Sequence, residues 1–200
     1  MEQRMIRMFA TVMLGVTLAV LATVGAARAA DDLGPATGST LPDMGTPLDQ
    51  TGTPRDMASL MGEKGVVLFF FRSAAWCPYC QAQLIELNTG VADMEKTGYR
   101  LAGLSYDLPD VLKSFADKRG LAYTLLSDSK SEVIDRYGLR DTQYPPGSKA
   151  YGVPKPIVFI VSRAGTIEAK LYEDSFRKRP PLALVLETLA KAAAAGSKSP

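Results

Sequence analysis

The chain contains no histidine, only two cysteines and a single tryptophan among 200 residues. Without histidine it lacks the one side chain whose ordinary titration falls near neutrality, and with it the Ser-His-Asp and Cys-His nucleophile pairs. The commonest metal ligand is missing too, and one cysteine pair has no second half with which to complete a zinc site. Charge of one sign is also scarce: of 23 Lys+Arg and 21 Asp+Glu, the first 29 residues hold Arg4, Arg7, Arg28 and Glu2, leaving 20 of each sign beyond them. That balance leaves no electrostatic footprint for nucleic acid or an acidic membrane surface. There is no internal repeat, no phosphate-cradling glycine loop and no convincing paired-carboxylate pattern. Neither an organic cofactor nor a metal is implied.

The start of the chain reads as an export signal. Arg4 and Arg7 form a basic opening, Phe9 to Ala27 is apolar, and Ala27-Arg28-Ala29 is an A-x-A cleavage site, so residues 1–29 are expected to be removed. The competing reading is an uncleaved anchor, because the apolar run is near bilayer-spanning length, although Gly15 and Gly25 weaken it. No cysteine sits at the cleavage point to carry a lipid. A cleaved signal predicts a soluble, exported protein, periplasmic if the source is a Gram-negative bacterium. In such an oxidising compartment a cysteine pair rests as a disulfide unless something reduces it, so an external thiol reductant or a substrate thiol belongs to any function.

Residues 30–47 form a loop-rich lead-in, 48–191 one α/β domain, and 192–200 a tail expected to fray. Val66 to Phe71 is six consecutive apolar residues rich in β-formers, which predicts a central strand buried on both faces. Cys80, Leu84, Leu87, Val91 and Met94 recur three and four apart, the stripe of one buried helix face, with Gly90 interrupting it. Strand and helix then alternate: Arg100–Tyr106, Pro109–Arg119 ended by Gly120, and Ala122–Leu126, implying parallel neighbours. Ser129-Lys130-Ser131-Glu132 has the form of a capping box before a short helix that stops at Gly138. Arg163-Ala164-Gly165 marks a hairpin between Ile157–Val161 and Thr166–Tyr172, and Pro181–Lys191 supplies a last helix. A mixed central sheet with helices on both faces follows.

Both cysteines stand in Trp76-Cys77-Pro78-Tyr79-Cys80, between that central strand and that helix. One helical turn apart they can close a disulfide without rearranging the backbone, and the helix N-terminus favours thiolate at the first. Cys77, at the helix tip, is expected to be accessible and Cys80 to face inward. A purely structural disulfide is the competing reading, but closing so short a loop restricts the unfolded chain little. Pro78 suits the first helical turn, and Trp76 and Tyr79 are expected to wall the site.

With these residues placed, Leu48 to Lys191 resembles the thioredoxin fold, a three-layer α/β/α arrangement. Within it the chain resembles the redoxin, or alkyl hydroperoxide reductase and thiol-specific antioxidant, branch. The likeness rests on Val67–Phe71 running into the cysteine motif, Gly103-Leu104-Ser105-Tyr106-Asp107, Leu125-Leu126-Ser127-Asp128, Tyr137-Gly138-Leu139 and Gly152-Val153-Pro154-Lys155-Pro156. The resemblance implies a thiol-disulfide oxidoreductase in which Cys77 attacks and Cys80 resolves, with protein or small-molecule disulfides and thiols as partners. It also implies a cis-proline opposite the cysteines, Pro156 with Pro154 in reserve, with Lys155 beside it shaping the substrate site. Gln143 to Tyr151 would form a rim, or simply a surface loop. The peroxiredoxins of the same branch imply an alternative, a thiol peroxidase acting on hydroperoxides. Laid on their PxxxTxxC signature, the three marked positions fall on Ser73, Cys77 and Cys80, and their late-strand arginine falls on Pro156. A non-catalytic binding module that has kept the fold is the third reading.

Overall fold

The architecture grows from one strand that is buried along its whole length. In the computed structural model, which describes residues 33–196, β2 (Gly65–Phe70) has every residue buried. Its neighbours are β3 (Tyr99–Ser105), parallel to it, and β5 (Ile157–Ser162), antiparallel. β4 (Thr124–Ser127) pairs parallel with β3, β6 (Ile167–Leu171) antiparallel with β5, and the two-residue β1 (Leu48–Asp49) closes the other edge against β4. The sheet order is β1-β4-β3-β2-β5-β6. The mixed sheet is thus borne out; the edge strand β1 is too short to leave a periodic signal.

Alternation along β2 divides the core into two. Val67, Phe69 and Phe71 face a cluster built from α2 (Pro78–Thr89), α3 (Val91–Lys96), α4 (Pro109–Arg119) and α6 (Leu182–Gly196). Val66, Leu68 and Phe70 face a cluster that includes Leu60 of α1 (Met57–Leu60) and Val133 and Ile134 of α5 (Glu132–Arg136). Three layers, α/β/α, result. The stripe Cys80, Leu84, Leu87, Val91 and Met94 is buried throughout, each large apolar member contributing about 1.5–3 kcal/mol by leaving water. It spans two helices rather than one. Gly90 caps the end of α2 and the start of α3, and a Cβ there would collide with Leu182 Cδ1, so the glycine lets α6 approach.

Two expectations need correction. The Ser129–Glu132 box does not cap α5. The residue before the helix is Ser131, held at φ 60° with its hydroxyl donated to Gly152 O. The buried carboxylate of Asp128 takes the free helix amides instead, Glu132 N at 2.9 Å and Ile134 N at 2.8 Å. A two-oxygen acceptor buried on the sheet side holds two amides where a serine hydroxyl on the exposed side would hold one. The second correction concerns the tail, for α6 continues past Lys191 to Gly196. Alanine is the best helix former, and Ala192 and Ala193 pack on the core. The lead-in carries no helix among the described residues but is stitched to the β5–β6 hairpin by Leu41 N to Gly165 O and Ile167 N to Ser39 O. The export segment lies outside the described residues.

The cap assignment gives a direct prediction. Asp128→Ala should lower stability by about 1–2 kcal/mol, the scale of a lost N-cap, whereas Ser129→Ala should leave it within about 0.5 kcal/mol. Urea denaturation midpoints of the two variants against the parent check this; equal losses would return the cap to Ser129.

Candidate active site

The motif loop leaves the sheet at the end of β2 and is held there by one carboxylate. Asp107, 8% exposed, accepts the Ser73 hydroxyl at 2.7 Å, the Ala74 amide at 2.7 Å and the Ser105 hydroxyl at 2.9 Å. The Ser73 oxygen in turn accepts the amides of Ala75 at 3.0 Å and Trp76 at 3.4 Å. From the helix side, Gln81 Nε2 donates to the carbonyls of Ala74 and Ala75 at 2.7 and 3.2 Å. Burial pushes the Asp107 carboxyl above its ordinary value, while the three hydrogen bonds pull against it. The loop is therefore fixed before α2 begins.

Cys77 is the N-cap of α2. Its backbone is extended, Pro78 occupies the first turn where no amide bond is lost, and its Sγ accepts the Cys80 amide at 3.3 Å. The two sulfurs form a disulfide across Cα atoms 5.2 Å apart. Trp76 and Tyr79 flank it, 44% and 43% exposed, and Trp76 Nε1 donates to Tyr106 Oη, which donates to the carbonyl of Lys149. That chain ties the 143–151 segment to the motif.

The accessible Cys77 expected from its place at the helix tip is not what the structure has: Cys77 is 2% and Cys80 0% exposed. Arg179, from the segment between β6 and α6, lies over both, with Nη2 3.3 Å from Cys80 Sγ and 3.9 Å from Cys77 Sγ. Arg72, in the motif loop and 3% exposed, stands among the rings of Phe176, Trp76 and Tyr144 at 4.3, 5.1 and 5.1 Å and donates to Tyr144 Oη. Burial and the charge of Arg72 together bring Arg179 down to about 10. Among the described residues neither guanidinium has a carboxylate partner.

The cis-proline expectation is also corrected: among the described residues no peptide bond is cis. Trans is the lower-energy isomer even before proline, and the chain here is already extended, with Pro154 bridged to Arg140 and Lys155 N donating to Leu139 O at 2.7 Å. Pro156 precedes Ile157, the partner of Phe70, which puts it at the sheet end from which the motif departs. Lys155 is exposed. A groove of about 410 Å³ between Ala74, Ala75 and Gln81 and the Asp110–Ser114 face of α4 opens beside the motif without reaching either sulfur. Among the described residues no three His, Cys, Asp or Glu side chains gather as metal ligands. Sequence reasoning left Asp107 and Arg72 out of the site and missed Arg179 altogether, which stands 99 residues from Cys80 and carries no motif.

The model of the AhpC/TSA family matches residues 37–170. The chain belongs to the AhpC/TSA family. Among curated relatives it is 32% identical over 102 residues to peroxiredoxin Bcp of Escherichia coli strain K12, covering 51% of this chain and 65% of that protein. It spans slightly under two thirds of the length of that relative. Among solved structures, the peroxidoxin BcpB of Mycobacterium tuberculosis superposes with a TM-score of 0.65 at 28% identity, over 79% of this chain and 96% of that one. The peroxiredoxin 6 of Arenicola marina, at 17% identity and a TM-score of 0.72 over 82% of this chain and 76% of its own, shares the fold. This AhpC/TSA chain thus keeps the thioredoxin-like α/β framework, with the Cys77–Cys80 motif at the start of α2.

The buried carboxylate sets a pH dependence. A carboxyl whose folded pKa is raised holds its proton more tightly in the native state, so its contribution to stability is fully present below about 3.8 and is lost as pH rises through the folded value. Asn at 107 keeps one acceptor for Ala74 N and Ser105 Oγ and a donor for Ser73, without the charge. Asp107→Asn should therefore flatten the fall in urea midpoint on going from about pH 3.5 to 6, whereas Asp107→Ala should cost about 1–3 kcal/mol at either pH. A pH slope unchanged in Asp107→Asn would remove Asp107 as its source.

Proposed function

We propose that this chain is a thiol peroxidase in which Cys80 attacks the hydroperoxide and Cys77 resolves. The observation that carries the reading is the burial of both sulfurs beneath Arg179, whose Nη2 is nearer Cys80 than Cys77. A small oxidant reaches so closed a site more readily than a protein disulfide does, and an adjacent guanidinium favours the thiolate over the thiol. The family match and the position of Cys80 at the signature cysteine support the same assignment. The Cys80 thiolate would attack the terminal peroxide oxygen, leaving sulfenic acid on Cys80 and, after one proton, an alcohol or water. Cys77 would then attack Cys80 Sγ, expel the hydroxyl as water and close the disulfide, which an external thiol reductant reopens.

A second reading, thiol-disulfide exchange led by Cys77, draws support from its N-cap position and the Cys80 amide aimed at its sulfur. Export remains a proposal drawn from the basic, apolar and A-x-A pattern of residues 1–29. Among the described residues no helix is long and apolar enough to cross a membrane.

The cysteine variants separate the two readings. With reduced protein and substoichiometric peroxide, Cys77→Ser should form a trappable sulfenic acid at Cys80, while Cys80→Ser should lose peroxide consumption by a factor of about 100 or more, the scale of a lost nucleophile. Rapid peroxide consumption by Cys80→Ser, or mixed disulfides trapped only through Cys77, would overturn the peroxidase assignment.

A further inference from the structure

The oxidised site holds more positive charge than it uses. Neither sulfur of a disulfide is charged, yet Arg179 Nη2 lies against both, and Arg72 stands beside it, shut in by three rings. The Nε of each arginine is buried with no hydrogen-bond partner. Two partly desolvated guanidiniums without a counter-charge repel one another, and a negative charge between them would relieve both. Asp107 is engaged with Ser73, Ala74 and Ser105, and Glu86 of α2 with the Leu182 amide, while Glu173 and Asp174, on the segment that carries Arg179, are exposed and among the described residues pair with neither arginine. The facing phenols are those of Tyr144, which accepts from Arg72, and Tyr106, which burial holds above its ordinary value. The source of negative charge already in contact with Arg179 is the sulfur of the site itself, once reduced.

We propose that Arg179, backed by Arg72, holds Cys80 of the reduced pair as a thiolate and thereby biases the dithiol toward its reduced form. The inference rests on the peroxidase reading and deepens it by naming the group that charges the attacking sulfur. It also orders the re-reduction. The thiolate of an external thiol attacks Cys77 Sγ, the sulfur farther from Arg179, and the S–S bond breaks with its electron pair leaving on Cys80. A second reductant thiol then displaces Cys77 and leaves as the reductant disulfide. Two reductant thiols thus give up two electrons; one of their protons stays on Cys77, the other goes to solvent, and Cys80 remains a thiolate. A better-stabilised leaving thiolate departs faster, so the same cation serves both halves of the cycle. The depressed value of Arg179 in the oxidised state is that of a cation short of its counter-charge. Arg179 follows the hairpin, whereas the late-strand position to which the resemblance assigns an arginine holds Pro156.

The test needs no peroxide. In full-length Cys77→Ser protein, adding Arg179→Met should raise the pH midpoint of the Cys80 thiolate absorbance by about one unit, the effect of removing a cation in contact. In the two-cysteine chain equilibrated with glutathione buffers, Arg179→Met should shift the equilibrium about tenfold toward the disulfide, about 30 mV for this two-electron couple. Arg179→Lys, which keeps the charge, should recover most of both shifts. Arg177→Met removes a charge from the same segment, one stacked on Phe176 rather than on sulfur, and should shift neither. An unchanged midpoint and equilibrium in Arg179→Met, or equal shifts from Arg177→Met, would overturn the inference. The arginine shifts without peroxide turnover by the parent chain would overturn the peroxidase reading alone.

Discussion

The site depends on a carboxylate placed where a carboxylate is costly. Asp107 lies at the end of β3, beside the point where β2 stops, and everything the motif loop does afterwards begins from its two oxygens. An unpaired buried charge would neutralise itself or unfold its surroundings. Asp107 avoids this by gathering the donors of Ser73, Ala74 and Ser105, and these same bonds stop the loop from continuing the strand. With the loop pinned, the amides of Ala75 and Trp76 turn onto Ser73, and Gln81 closes the loop from the helix. The cysteines are consequently presented by a rigid frame, which a short-range exchange between two sulfurs requires.

That frame explains how inequivalent the two sulfurs are. Both belong to the same turn of the same helix, but Cys77 is held by a backbone amide and Cys80 by a side chain arriving from the far end of the fold. A helix N-terminus contributes a partial charge, whereas a guanidinium contributes a full one in a site from which water has been removed. In the proposed peroxidase the ranking of the sulfurs as nucleophiles would follow from which of the two influences is stronger, and a full charge in a dry site would outweigh the helix end.

The parts of the structure written in local pattern were legible in the chain. The continuous apolar run of β2, the three-and-four stripe beneath the motif, and α4, bounded by Pro109 and Gly120 at φ 61°, each reflect residues acting on their immediate neighbours. What escaped is non-local. Asp128 outcompetes the apparent capping serine because tertiary burial aims it at the helix amides, and nothing in the spacing of Ser129 to Glu132 reveals that. Cys77 looked exposed because a helix tip usually is; its cover comes from a segment one hundred residues away in an otherwise unremarkable basic stretch. The cis geometry that the resemblance implies for the proline before β5 belongs to the fold at large, while its own segment is already held extended by Leu139.

The cover also accounts for the aromatic residues around the motif. A lone arginine over a sulfur could swing away, since a long side chain loses rotamer entropy when it is fixed. Here the segment bearing Arg179 is anchored by Phe176, which stacks on Arg72, and Arg72 is itself wedged against Trp76 and Tyr144. Trp76 is tied through Tyr106 to the carbonyl of Lys149, so the 143–151 segment, the motif loop and the strand-to-helix connection meet at one aromatic cluster. The rim is thus part of the device that keeps a cation on the sulfurs, and a substitution at Phe176 or Tyr144 would act on the cysteines without touching them. On the proposed reading, such indirect control would let a chain with no histidine hold a reactive thiolate: the activating charge is permanent, and its position is what the fold regulates.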